Sequence, residues 1–169
     1  MNALEFLSSA RCAPETLASP LARALAGAPD TLRDLSLDGK VELRGDLALV
    51  QERPDEELVR LSPRRGLLVG VGDPIDVVER LRETGVRAYD MTCSLAGLGL
   101  EGERLLRRLT DLDLDTLPTA GGFARVSAIV IRDDGERFRA YFPQELGYYV
   151  AEVVLDAIAG LANEGSGGA

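Results

Sequence analysis

The chain of 169 residues contains no histidine and no tryptophan. Without imidazole there is no Ser–His–Asp or Cys–His nucleophile system, no His-ligated zinc and no histidine general base. Aromatic residues make up only 5%, which is thin material for a base-stacking platform. Basic residues are the minority charge, 19 against 28 acidic, for a formal net charge of −9. That excess repels a polyphosphate backbone, so no nucleic-acid partner is expected. Only two cysteines occur, Cys12 and Cys93, with no CxxC pattern and no third metal ligand beside them. Free thiols of a reducing compartment are the plain reading. No run reaches the roughly 20 apolar residues of a membrane-spanning helix. The opening Met1-Asn2-Ala3-Leu4-Glu5 lacks the basic start of a secretory leader. A cytoplasmic protein with no membrane contact is expected.

What is present is folding material. An apolar content of 46% with 28% charged residues fits one domain with a core of its own. Residues 1–35 read as an N-terminal arm with one short helix, Ser19-Pro20 to Ala26, stopped at Gly27. Residues 36–162 read as a single α+β domain. Short apolar runs at Val41–Arg44, Leu47–Gln51, Leu58–Leu61 and Leu67–Val71, separated by turn residues, predict an antiparallel meander. Asp73-Pro74 predicts a helix start, Gly85 its left-handed stop, and Ile75, Val78 and Leu81 its buried stripe, with Arg80 facing water. Strands follow at Val86–Thr92 and Ser94–Leu100. In the second, Gly97 and Gly99 share a face that another backbone can approach closely.

A helix from Gly102 to Thr110 buries Leu105, Leu106 and Leu109. A hairpin of Phe123–Arg132 and Glu136–Phe142 turns at Asp133-Asp134-Gly135. A last helix, Gln144 to Leu161, carries apolar residues at helical spacing, and residues 163–169 are expected to be a disordered tail. The predicted class is α+β, a mostly antiparallel sheet with helices packed on it.

Few side chains in this pattern offer chemistry. Asp111, Asp113 and Asp115 alternate with leucines and lack the glycine and distal glutamate of a calcium loop, so no metal site is expected. Gly70-Val71-Gly72 lacks the third glycine of a dinucleotide fingerprint. Cys93 has no base to activate it and reads as a buried structural thiol. The basic turn Ser62-Pro63-Arg64-Arg65-Gly66 reads as a rim contact. Arg132, Arg137 and Arg139 cluster on the last hairpin, with Tyr141 on the face of Arg137 and Arg139. They read as a solvated sheet face or as forks for a carboxylate or an acidic partner.

Four stretches in order carry a resemblance. Ala88-Tyr89-Asp90-Met91-Thr92, then Leu98-Gly99-Leu100-Glu101-Gly102, then Leu105-Leu106-Arg107-Arg108-Leu109-Thr110 resemble the D-[LM]-[ST], L-x-G and L-L-x-x-L-T series of the aminomethyltransferase (glycine-cleavage T-protein) superfamily. Arg137–Phe142 followed by Gln144-Glu145-Leu146-Gly147-Tyr148-Tyr149-Val150 is similar to that family's closing strand and helix. Chain length and the Pro143-to-Tyr149 segment most resemble the gamma subunits of heterotetrameric sarcosine oxidases. The resemblance runs over residues 86 to 160.

It implies a folate-binding-domain fold. T-proteins bind tetrahydrofolate and transfer a one-carbon unit, using a polar pair and an asparagine in the last hairpin. By position these fall on Val126, Ser127 and Pro143, which cannot make those contacts. The resemblance therefore implies a chain with no catalytic residue, metal or bound cofactor, an accessory subunit packing against flavoprotein oxidase subunits. The contact surface would be the Arg139–Tyr141 face, the final helix and the arm. The alternative is a tetrahydrofolate-binding, aminomethyltransferase-like protein acting alone or as a dimer, with a pocket lined by Tyr89, Asp90, Arg139 and Tyr141. Self-association without a small ligand is the third course.

Overall fold

The computed structural model describes residues 18–166. Two antiparallel sheets lie face to face between helices, because the long strands β2, β4, β6 and β9 bury residues on both of their faces. The first sheet has the order β1-β6-β9-β8-β7, formed by β1 (Leu32–Asp34), β6 (Leu95–Glu101), β7 (Thr119–Phe123), β8 (Val126–Asp134) and β9 (Arg137–Pro143). The second has the order β3-β4-β2-β5, formed by β2 (Gly39–Arg44), β3 (Glu57–Ser62), β4 (Arg65–Val71) and β5 (Arg87–Asp90). Helix α1 (Pro74–Leu81) covers the outer face of the four-stranded sheet. Helices α2 (Glu103–Leu109) and α3 (Gly147–Ser166) cover the outer face of the five-stranded one.

Three apolar clusters correspond to these layers. Ala96, Leu98 and Leu100 of β6 with Phe138, Ala140 and Phe142 of β9 meet Leu105, Leu106 and Leu109 of α2 and Val150, Ala151 and Val154 of α3. Val41, Leu43, Leu68 and Val71 meet Val77 and Leu81 of α1. Between the sheets a smaller cluster joins Val59, Leu67 and Val69 to Ile131 and Tyr141. The fold is the α+β, antiparallel class that the sequence predicts, with its strands divided between two sheets.

Several local expectations give way. Residues 20–27 form turns, with one helical bond from Leu25 N to Leu21 O, since Pro29 and the β1 pairing to Leu100, Gly99 and Leu98 take the chain over at once. Strand β1 thus lies within the stretch read as an arm. Leu47–Leu49 is a single 3-10 turn capped by Asp46, whose side chain accepts from Ala48 N, and buries Leu47 alone. The meander is also reordered, for β2 lies between β4 and β5.

In α1 the Asp73 cap, the first-turn proline and the positive φ of 79° at Gly85 are as predicted. The buried residues, however, are Val77 and Leu81, and Arg80 is half-buried against Glu56. Strand β7 was not foreseen. It turns into β8 through Ala124 and Arg125, both with positive φ (48° and 64°), a tight-turn geometry that sequence reading associates with Asn-Gly. Helix α3 continues past Leu161 to Ser166, because Glu164 ion-pairs with Arg104 and Arg108 of α2 and holds the final turns down. Residues 163–166 are thus helical where a disordered tail was expected; residues 167–169, like Cys12 and most of the arm, lie outside the described residues. No described helix is long and apolar enough to cross a membrane.

Candidate functional site

The two glycines of β6 lie under the chain that follows β1. Gly99 pairs with Arg33 on one side and Arg139 on the other, and Gly97 pairs with Tyr141. A methyl group at Gly97 would stand 2.8 Å from Leu35 O and 2.9 Å from Tyr141 Cε1, so only glycine lets the chain after β1 lie across the sheet there. Beside this crossing an open cleft of about 430 Å3 lies between the sheets, lined by Arg33, Leu35, Asp38, Glu57, Gly70, Asp133, Arg139 and Tyr141.

Three of its charges are spent on one another. Arg139 Nε donates to Asp133 Oδ1 at 2.6 Å, its Nη2 donates to Glu57 Oε2 of the other sheet, and its Nη1 reaches Tyr141 Oη at 3.5 Å. Burial opposes the Arg139 charge, but the Glu57 hydrogen bond and the fields of Tyr141, Asp133 and Glu57 outweigh it, raising the pKa above the ordinary arginine value. Burial likewise pushes the Tyr141 hydroxyl upward, and Arg139 offsets part of that.

Beneath Tyr141 sits a residue that sequence reading passed over. Lys40, the only lysine in the chain, is fully buried. Its ammonium donates to Leu35 O at 3.3 Å, to Ser36 O at 2.9 Å and to Asp38 O, and stands 6.0 Å from the Tyr141 ring centre. Burial lowers its pKa to about 8, against the raising fields of Asp38, Asp90, Cys93 and Asp34. The signal available in the sequence was composition: a single lysine among arginines, in a strand whose neighbours alternate apolar and charged.

Of the four predicted pocket residues, the cleft brings together Arg139 and Tyr141. Tyr89 and Asp90 are not among its lining residues. Tyr89 is 42% exposed with the Arg44 guanidinium over its ring at 5.4 Å, and Asp90 Oδ1 accepts from Thr92 N. The Arg139–Tyr141 face is also no open contact surface, for Tyr141 is 2% exposed and the other sheet covers it. Cys93 is exposed rather than buried, because it lies in the turn between β5 and β6, outside both sheets. Asp113 caps the 3-10 turn Leu114–Thr116, and no group of three or more potential metal ligands occurs among the described residues. Val126 packs against the helix-side core, Ser127 is exposed and Pro143 ends β9 opposite Leu95.

No family model and no curated protein sequence matches the chain. The architecture of its described residues, two antiparallel sheets between three helices, is a fold shared with an aminomethyltransferase and a sarcosine oxidase chain. A chain of the heterotetrameric sarcosine oxidase from Corynebacterium sp. U-96, solved in complex with pyrrole 2-carboxylate, matches with a TM-score of 0.71 over 85% of this chain and 95% of that one, at 17% identity. The glycine cleavage system aminomethyltransferase T from Bartonella henselae matches with a TM-score of 0.55 over 73% of this chain, at 16% identity. This chain spans 45% of that protein's length. At such identities the likeness is one of fold.

Proposed function

We propose that this chain is a non-catalytic, T-protein-like accessory subunit of a flavin-dependent oxidase assembly acting on sarcosine or another N-methyl amino acid. The observation that carries the reading is coverage. The chain matches 95% of one chain of a heterotetrameric sarcosine oxidase and under half of an aminomethyltransferase. The cleft adds support, since Arg139 is held by Glu57 and Asp133 and is not free to grip a substrate carboxylate.

Tetrahydrofolate, the ligand of the alternative reading, does not fit the residues present. Val126 and Pro143 have no side-chain acceptor for a pterin amine, Ser127 has no carboxylate, and two of the cleft's carboxylates are committed to Arg139. Partners are flavoprotein subunits in the cytoplasm, with self-association as the competing course.

Co-expression with the flavoprotein subunits of a sarcosine oxidase-type enzyme, followed by size exclusion, tests the proposal. Co-elution with altered oxidase activity supports it. Elution as a lone monomer with unchanged activity refutes it. Heat on titrating tetrahydrofolate by calorimetry would restore the alternative, and a mass that rises with concentration in light scattering would favour self-association.

A further inference from the structure

Three arginines stand in one row across the four-stranded sheet. Arg44 of β2 is directly opposite Arg65 of β4 on one side and Arg87 of β5 on the other. Directly opposed residues of antiparallel strands share a face, and like charges placed so destabilise the sheet. One carboxylate offsets them: Glu42 accepts from Arg44 Nε and Arg65 Nε, each at 2.8 Å. Arg87 is exposed and has no salt bridge among the described residues. The five-stranded sheet leaves this end uncovered, for the Arg44 and Arg65 side chains are 57% and 54% exposed. Tyr89, opposite Glu42 and next to Arg87 on the same face, is an exposed aromatic with Arg44 over it. In a chain of net charge −9 this is a local concentration of unmatched positive charge at an outer strand.

We propose that this row is a docking surface for an extended acidic segment of a partner protein, laid along β5. Three features select that occupant. Adjacent strands are about 4.8 Å apart, so the row spans about 10 Å, which suits two or three carboxylates better than one small anion. Strand β5 is the outer strand of its sheet, so a segment beside it adds a strand by backbone hydrogen bonds and sets an Asp or Glu level with Arg87. The chain's overall negative charge repels a long polyanion at a distance, whereas a short acidic segment meets only the local field. The Tyr89 ring then covers the aliphatic stem of a neighbouring side chain. This goes beyond the accessory-subunit reading and stands whichever enzyme the partner is.

Fluorescence anisotropy of the full chain with a labelled Glu-Val-Glu-Val-Glu-Val peptide tests it, with the Lys-Val analogue, a single-stranded oligonucleotide and phosphatidylserine vesicles as separate arms. The acidic peptide binds, binding weakens with salt, and Arg87→Gln and Tyr89→Ala each weaken it about tenfold. Arg104→Gln on α2 leaves it unchanged. Arg87 supports no salt bridge among the described residues, so its variant keeps the fold, checked by circular dichroism. No anisotropy change at high micromolar protein, equal binding by Arg87→Gln, or preference for the oligonucleotide or vesicles overturns the proposal. Failure here with intact co-elution would leave the assembly reading standing; failure of co-elution with intact peptide binding would do the reverse.

Discussion

Lys40 Nζ stands 6.0 Å from the centre of the Tyr141 ring, so the chain's single lysine and its most buried tyrosine meet between the two sheets. The ammonium is held by three backbone carbonyls and no carboxylate. A buried charge of that kind lowers stability while it persists.

The consequence is a stability that rises in alkali. The folded-state pKa of about 8 lies below the ordinary 10.5, so the unfolded chain binds more protons between those values. Unfolding free energy of the native chain should therefore climb relative to Lys40→Met as pH goes from 8 to 10.5, by at most about 1.4 kcal/mol per pH unit. Below pH 8 the difference should be flat. Urea melts of both proteins across that range measure it, and parallel profiles would exclude the lowered pKa.

Glu42 responds in the opposite direction. Burial would raise its carboxyl, but hydrogen bonds from Arg44 and Arg65 and their charges prevail and hold it below the usual 4.5. Its contribution is present above that ordinary value and is lost as pH falls through the lowered one. Glu42→Gln should be less stable than the native chain at neutral pH, and the gap should close in acid. A gap that persists to the lowest pH at which the protein folds would contradict the pairing.

Arg139→Met removes the fork that joins Asp133 of one sheet to Glu57 of the other. Glu57 is half-exposed and Asp133 less so, so the loss is moderated by water, on the order of 1–3 kcal/mol. Chemical denaturation reports it. Arg137→Met, whose partner Asp134 is exposed, should cost much less than Arg139→Met.

Gly97→Ala forces a methyl into Leu35 O and the Tyr141 ring and should cost about 1–3 kcal/mol, seen as a lowered melting temperature. Gly72→Ala, with nothing within 4 Å of the added carbon, is the control and should hold the native value or exceed it.

Much of this fold is legible because its strands alternate cleanly. Phe138, Ala140 and Phe142 point to the helices and Arg139 and Tyr141 the other way, as period two requires. The Gly97–Gly99 face likewise announces a close approach before anything shows what approaches. Where meaning depends on what lies across the cleft, the local pattern falls silent. Arg139 reads as exposed until β3 supplies Glu57 and covers Tyr141. Lys40 reads as one more polar strand position until the Leu35–Asp38 turn wraps it in carbonyls. Strand β7 escapes notice because Gly121 and Gly122 look like a loop; its pairing with β8 along Thr119–Phe123 makes it a strand, and Leu112 lies over Gly121.

The four-stranded sheet is made of one unbroken stretch of chain, leaving after β1 and rejoining at β6, with Met91 N donating to Lys40 O at 2.8 Å where the excursion closes. Its β3–β4 hairpin is local in sequence and its most distant pairing, Val41 with Asp90, closes a smaller loop than that of β1 with β6, which must wait for a detour of some sixty residues. The excursion should therefore form early and draw the ends of the larger sheet together. Substitutions in β2 and β4 would then slow refolding, while those in β1 would chiefly hasten unfolding. Equal effects on both rates from the two places would rule that order out.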